Sequence, residues 1–308
     1  LGVQFLVQIL IFHNPNSGKR KSQIHANKIE RALKRINPKT QVTQFCAVSI
    51  SVLNDFWSSP LANAGFDAII IIGGDGTVGP VINAMKHNNL DIPIYCYGRG
   101  TANDFASFLK TNKSAKQCAK TVLRGNMRLV DTLLVDGETY ACNNAAGGAF
   151  TTGVTKYSKK MKMFFGKLAY LITAFFMAFS VKSQALRFTV DDRTFEARVF
   201  LFYILNTKNV GGLKNASPLS RVDDGMLDLI CIKQMGFWGK IGTGFFQMFG
   251  KLHKSKNIIH IQGKSFKVEI IPDRPVDKNF THTDIDGNPY KPYPLNVTIG
   301  SKIRVLQK

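Results

Sequence analysis

Apolar positions in the first part of the chain come in short unbroken blocks, separated by polar stretches of helical pattern. Residues 4–13 (QFLVQILIFH) run apolar into Asn14-Pro15-Asn16-Ser17-Gly18, which reads as a strand feeding a turn. A polar helix is expected over about 22–36, a strand near 41–48 and a short helix near 51–63. Asp67-Ala68-Ile69-Ile70-Ile71-Ile72 is β-branched and bounded by glycines, the signature of a strand buried on both faces. Gly73-Gly74-Asp75-Gly76-Thr77 follows, then a helix from about Val78 to His87 with Pro80 in its first turn. Ile92 to Tyr97 reads as the next strand, and Gly98-Arg99-Gly100-Thr101 opens a helix through Asn103, Phe105 and Leu109. Strands alternating with helices imply a parallel, doubly wound α/β sheet.

The pattern changes near Arg128. Strands are expected at 128–136, 139–146, 185–191, 194–206, 226–233, 257–262, 264–271, 280–285 and 294–306, with hairpin signals at Val190-Asp191-Asp192-Arg193 and Gln262-Gly263. This second domain should be largely antiparallel β, interrupted by helical insertions at about 157–182 and 235–252. The apolar run Leu168 to Val181, broken by Thr173 and Ser180, is shorter than the roughly 20 residues that cross a bilayer, and reads as a buried or interfacial helix.

Length and charge sharpen this picture. At 308 residues two domains are the natural expectation. A content of 44% hydrophobic and 20% charged residues excludes a disordered chain. Lys and Arg number 41 against 20 Asp and Glu, for a net charge of +21, which points to nucleic acid, an anionic membrane or a phosphate-rich substrate as partner. Cys46, Cys96, Cys118, Cys142 and Cys231 show no CxxC pair and no zinc spacing, so they read as reduced core thiols of a cytosolic protein.

Candidate chemistry begins at Gly73 to Thr77. Glycines there allow close approach of a ligand, and a helix N-terminus offers N–H groups to phosphate oxygens. Asp75 suits a metal ion, a hydroxyl or a cation, or simply caps the helix in a tight turn. Two similar turns follow other strands: Asn14-Pro15-Asn16-Ser17-Gly18-Lys19 and Gly98-Arg99-Gly100-Thr101-Ala102-Asn103-Asp104. Ligands of open parallel sheets sit at the C-terminal ends of strands, so the three turns together build a phosphate cradle.

These blocks, with Asp223-Asp224-Gly225-Met226-Leu227-Asp228 and Asp286-Gly287, resemble the diacylglycerol kinase catalytic-domain family. The likeness is to its soluble bacterial lipid kinases, related to sphingosine and ceramide kinases and distantly to NAD kinases, and it covers nearly the whole chain. It implies an ATP-binding α/β domain at 1–127, to which 295–308 returns, a β-sandwich lipid-binding domain at 128–294, and a catalytic cleft between them. Asn14, Pro15, Asn16, Ser17, Gly18 and Lys19, with Gly73, Gly74, Asp75, Gly76, Thr77, Val78, Gly79 and Thr101, would line the ATP site, with Arg99, Gly100 and Asn103 alongside. Arg221, Asp224 and Met226 would hold Mg²⁺, partly through carbonyls; the same segment also reads as a plain hairpin turn.

Where the family has Asp-Gly-Glu, with Glu as general base, this chain has Asp286-Gly287-Asn288, and asparagine accepts no proton at neutral pH. The base is then Asp75, Asp284 or Asp286, with Asp75 favoured over Asp286 because it opens the nucleotide-side helix, or the chain is a weak or inactive lipid-binding paralogue. Gly79-Pro80 also replaces Asn-Glu after the glycine turn, and Arg99 is a compensating phosphate-reaching charge. The expected activity is phosphorylation of diacylglycerol or a similar lipid with ATP and Mg²⁺, with sphingosine-type and NAD-type kinases as alternatives. Lysines and aromatics over Lys156 to Lys182, and again from Phe237-Trp238 to Lys256, suit peripheral binding to an anionic membrane or helices packed on the sandwich. No RNP, KH or zinc signature supports nucleic acid. A homodimer is compatible with the sequence.

Overall fold

The computed structural model describes residues 7–15, 21–47, 50–57, 59, 65–100, 102–111, 114–148, 182–211, 215–236, 238–239, 242–243, 246, 251–272 and 275–308. The chain forms two compact units: Leu1–Thr132, Tyr140–Cys142 and Ser301–Lys308 make the first, and Leu133–Thr139 with Asn143–Gly300 the second. The divisions stand several residues from the limits expected at 127/128 and 294/295. They fall inside two long strands, β5 (Met127–Val135) and β15 (Leu295–Leu306), because the two ends of a strand can pair with different neighbours.

In the first unit, β1 (Gln8–His13), β2 (Gln41–Cys46), β3 (Ala68–Gly73) and β4 (Ile94–Gly98) lie parallel in the order β2-β1-β3-β4, and the end of β15 joins β4 through Val305 opposite Ile94. All six positions of β3 are buried, as its β-branched sequence requires. One face of the sheet, with Ile9, Ile11, Ile70, Ile72, Tyr95 and Tyr97, packs on α1 (Ser22–Ile36) and α5 (Ala115–Arg124). In α1 the buried positions Ser22, Ala26, Ile29 and Leu33 recur at helical spacing. Each large aliphatic so covered contributes about 1.5–3 kcal/mol. No apolar run announces α5; its ends are set by Ser114, whose Oγ accepts the Gln117 N–H at 3.2 Å, and by left-handed Gly125.

Helix α2 (Ile50–Trp57) ends earlier than the pattern suggests, and α3 (Asp75–His87) begins three residues before Val78. Thr77 and Val78 donate to the Gly74 carbonyl at 2.8 and 3.1 Å, which brings Asp75 to Thr77 into the helix. Pro80 consequently stands in the second turn, where it cannot donate to the Gly76 carbonyl. A short helix, α4 (Asp104–Phe108), follows β4.

The second unit is antiparallel. Its path runs β14 (Asn288–Pro289), β13 (Thr283–Ile285), β7 (Asn144–Gly148), β9 (Arg193–Leu205), β8 (Gln184–Val190), β12 (Ser265–Ile270) and the start of β15, while β10 (Leu227–Lys233) pairs β9 and β11 (Ile258–Gly263) pairs β10. Asp191-Asp192 makes the two-residue β8–β9 hairpin, as expected. Gln262-Gly263 does not make a hairpin: β11 pairs β10, whereas β12 pairs β8 and β15. The strand expected at 139–146 divides into β6 (Thr139–Ala141) and β7, because the Asn143 main chain bonds instead to Asn206 and Asp286. The strand expected at 280–285 starts at Thr283, after a 3₁₀ turn at Lys278–Phe280 capped by Asp277. The helical insertion expected at 157–182 lies outside the described residues but for Lys182, and that at 235–252 is described only in part.

Candidate functional site

Strand ends of the first unit bring two of the three expected turns together. The Gly73 carbonyl accepts the Arg99 N–H at 2.7 Å, joining the turn after β3 to the turn after β4. Gly74 and Gly100 pack backbone on backbone: a Cβ on Gly74 would lie 2.9 Å from the Gly100 Cα, and one on Gly100 2.5 Å from the Gly74 Cα. Glycine at 74 is thus required by the neighbouring turn itself, not only by a ligand. The Asn103 amide closes the second turn, Oδ1 accepting the Gly100 N–H at 2.6 Å and Nδ2 donating to the Gly100 carbonyl at 2.9 Å.

Asp75 holds the same construction from the other side. Its Oδ2 accepts the Asp104 N–H at 3.0 Å and its Oδ1 the Phe105 N–H at 3.1 Å. The carboxylate therefore caps α4, a neighbour 29 residues away in sequence, and not its own helix. The N-terminus of α3 has no side-chain cap, which leaves a helix end suited to phosphate oxygens, with Gly76, Thr77, Val78 and Gly79 in its first turns. The Arg99 guanidinium lies 3.8 Å from the Tyr97 ring centroid and donates to the Gly98 carbonyl. At the end of β1, buried His13 has its Nδ1 3.3 Å from the Ser22 Oγ, and burial lowers its pKa, favouring neutral imidazole. Asn14 and Pro15 continue from it; Asn16, Ser17, Gly18, Lys19 and Thr101 lie outside the described residues.

The Asp286-Gly287 pair is the turn of the β13–β14 hairpin. Ile285 faces Asn288, and both turn residues have positive φ, 51° and 83°, the conformation that favours Asp-Gly. Asp286 is buried, and its Oδ1 accepts the N–H groups of Asn143 and Asn144, both at 2.9 Å. Asn288 is exposed. Asp284 is half-buried; its Oδ1 accepts the Gly287 N–H at 2.9 Å, and burial, with a smaller contribution from Asp286, pushes its carboxyl up to about 7.

Around Asp286 stands a polar network that no sequence signal singled out beyond the run Asn206-Thr207-Lys208-Asn209 at the end of β9. The Asn143 carbonyl accepts the Asn206 N–H, Thr207 Oγ1 donates to the Asn143 amide oxygen, and Asn143 Nδ2 reaches the Asn209 carbonyl at 3.3 Å. All four side chains are buried. Burying so much polarity costs free energy, which the bonds among Asn143, Thr207 and Asn209 offset, and their geometry favours one arrangement of the loop.

The Asp223 to Asp228 segment is a turn. Gly225 has φ 70°, the Asp224 Oδ1 accepts the Met226 N–H at 3.1 Å, and Arg221 Nε lies 3.8 Å from the Asp223 Oδ1. Asp228, in β10, is buried with its Oδ1 2.5 Å from the His260 Nε2. Among the described residues no group of three or more His, Cys, Asp or Glu converges. What the turn offers a cation is one exposed carboxylate and main-chain carbonyls, hard oxygen donors that suit Mg²⁺, with Arg221 able to take part only through its carbonyl.

A parallel sheet whose glycine turns open onto an uncapped helix end presents main-chain N–H groups in the place where open α/β sheets bind phosphate. The family model for the diacylglycerol kinase catalytic domain matches residues 8–135, and that for the YegS C-terminal NAD kinase beta sandwich-like domain matches residues 147–306. The chain belongs to the diacylglycerol kinase catalytic-domain family. It is similar to the diacylglycerol kinase of Bacillus subtilis (strain 168), 28% identical over 261 residues, 84% of this chain and 85% of that one. To the diacylglycerol kinase of Staphylococcus epidermidis (strain ATCC 35984) it is 26% identical over 265 residues, 85% and 82% of the two chains. Two solved structures from Bacillus anthracis str. Sterne share the fold. One has 21% identity and a TM-score of 0.79; the other, described as a diacylglycerol kinase, has 19% and 0.69; each alignment covers 98% of this chain and 97% of the other. The protein is an ATP-dependent lipid kinase.

Proposed function

We propose that this chain transfers the γ-phosphate of ATP to the hydroxyl of diacylglycerol or a close analogue, giving phosphatidic acid or its counterpart. The observation that carries the reading is the joined Gly73-Gly74 and Gly98-Gly100 turns at the mouth of α3, within a chain whose two halves match the two family models. Phosphoryl transfer rests on positioning and charge neutralisation, for which backbone N–H groups, Arg99 and Lys19 are suited. Mg²⁺ at Arg221, Asp224 and Met226 belongs to the same proposal; it would brace the turn and add positive charge to the second unit.

Docking to an anionic membrane surface is part of the reading. Trp238 is 79% exposed, and Lys251, His253, Lys254 and Lys256 are exposed around buried Leu252, so an indole and several cations face solvent from one stretch of the second unit. Each basic residue near such a surface contributes about 1 kcal/mol. The test of the activity is transfer of labelled γ-phosphate to a panel of lipids in mixed micelles. Labelled phosphatidic acid is expected. Label passing only to sphingosine or NAD would move the acceptor, and no labelled lipid at all would favour the second reading, a lipid-binding paralogue without catalysis, for which Asn288 in place of Glu speaks.

A further inference from the structure

We propose that the outer face of α1 and α5, in the first unit, is a docking surface for an anionic membrane. The inference rests on the lipid-kinase reading, which puts the acceptor in a bilayer. To the stretch around Trp238 in the second unit it adds a surface on the unit that carries the glycine turns.

Both helices cover the same face of the parallel sheet, so their outer sides look out together. In α1 the buried positions Ser22, Ala26, Ile29 and Leu33 leave Ile24, Lys28, Arg31 and Arg35 on the opposite side. The two sets share one spacing and are offset by two residues, about 200° around the helix. In α5, Cys118, Ala119 and Val122 face the sheet, while Lys116, Lys120 and Arg124, each four residues from the next, are exposed.

The two helices carry seven Lys and Arg and a single acid, Glu30, which is paired with Lys34 at 2.6 Å and accepts from Gln44 of β2. None of the other six cations makes an ion pair among the described residues. Like charges four apart on a helix repel, as Arg31 and Arg35 do, and Lys120 with both Lys116 and Arg124. This arrangement works against the stability of the free protein and is relieved when negative charge lies against it. His25, on the flank of α1, reports the same field. Its ring is 5.7 Å from that of Tyr97, over which Arg99 lies, and burial, then Arg99, Lys28 and Lys21, hold its imidazole below the usual range.

The apolar neighbours of these cations choose the partner. Ile24 and Ile36 are 50% and 40% exposed on α1, and Met127, two residues beyond Gly125 at the end of α5, is 52% exposed. Apolar side chains among cations insert at the headgroup level of a bilayer, whereas a sugar–phosphate backbone offers them nothing. A surface for single-stranded nucleic acid would display aromatic rings for stacking, and neither helix contains Phe, Tyr or Trp. A second copy of the same face would be repelled.

The test uses the full chain and vesicles of phosphatidylcholine with and without phosphatidylglycerol, sedimented without ATP. Two variants each neutralise one row: Lys28→Gln with Arg31→Gln and Arg35→Gln, and Lys116→Gln with Lys120→Gln and Arg124→Gln. A control neutralises three exposed cations of the second unit, Arg193→Gln, Lys264→Gln and Lys267→Gln. One charge near the surface is worth about fivefold, so each row variant should bind anionic vesicles about 10²-fold more weakly, and the control should stay within about fivefold of wild type. ATP affinity should not change. Phosphorylation of diacylglycerol held in anionic vesicles should fall in the row variants, and that of a short-chain diacylglycerol in neutral detergent should not. Row variants that bind like wild type, or a control that loses as much as they do, would overturn the face. So would a wild type that binds duplex DNA more tightly than anionic vesicles and loses that binding in the row variants, since the partner would then be nucleic acid. A chain that phosphorylates no lipid would remove the kinase reading, and the sedimentation, read without ATP, would still decide the face.

Discussion

Replacing Asp75 by alanine separates architecture from catalysis at the glycine turn. The substitution removes the acceptors of the Asp104 and Phe105 N–H groups, at 3.0 and 3.1 Å. Helix α4 has no reserve: its N-cap residue Asn103 is left-handed and makes no side-chain cap, its amide being used on Gly100. Loss of a cap costs about 0.5–2 kcal/mol, and bonds to a charged acceptor stand at the upper end, so we expect about 2 kcal/mol for Ala. Phe105, fully buried, sits in the turn that is released, which makes the loss cooperative with core packing. For a unit of this size the melting temperature should fall by roughly 4–8 °C. Asn should recover about half, since its amide oxygen replaces one acceptor while its NH₂ meets the second N–H donor for donor. Calorimetry gives the melting shift, and hydrogen exchange at the Asp104 and Phe105 amides locates it. An alanine variant that melts with wild type and keeps those amides protected would refute the capping role.

Gly74→Val should separate the two turns, because its Cβ falls 2.9 Å from the Gly100 backbone; we expect a loss of about 1–3 kcal/mol together with lost nucleotide binding, read by urea unfolding and calorimetric titration with ATP. Removing His260 as Ala leaves Asp228 buried without that partner and should cost about 1–3 kcal/mol in denaturant unfolding. The raised carboxyl of Asp284 binds a proton more tightly in the folded than in the unfolded protein, so its contribution to stability falls as pH rises from the ordinary carboxylate range to about 7. Asp284→Asn should therefore be more stable than wild type at pH values above that window and lose the advantage below it, as thermal melts across the range will show. Binding to anionic vesicles should weaken as salt approaches about 0.5 M, and Trp238→Ala should weaken it further; equal binding to neutral vesicles would contradict the docking surface.

Much can be read from the sequence because it is written in local terms. The block Ala68 to Ile72 is short, β-branched and followed by glycines, which marks a strand covered on both faces, and the spacing of Ala26, Ile29 and Leu33 marks a helix with one buried side. Alternation of strand and helix dictated the parallel first unit, and period-two patterns the antiparallel second. The family, too, was readable, since its blocks are short, contiguous and ordered. Pairings between distant segments were not. The turn signal Gln262-Gly263 has the composition of a hairpin, yet there the chain leaves the partner of β10 to pair with β8 and β15, and no local propensity encodes that choice. Helix α3 starts at Asp75 because the Gly74 carbonyl is placed to accept two N–H groups.

Read linearly, the residues already limit what could meet phosphate, proton or lipid: glycine turns at strand ends, carboxylates near a hairpin, cations among aromatics. What each one does is assigned by folding. Asp75, Asp284 and Asp286 have the same side chain, and along the chain only the place of Asp75 at the start of the nucleotide-side helix sets one apart. Only the folded protein sets one against the N-terminus of α4, buries another under the Asn143 and Asn144 amides, and leaves the third half-covered with a single backbone bond. A carboxylate's role follows from its partners and its access to water, and both are properties of segments brought together from far apart in the chain.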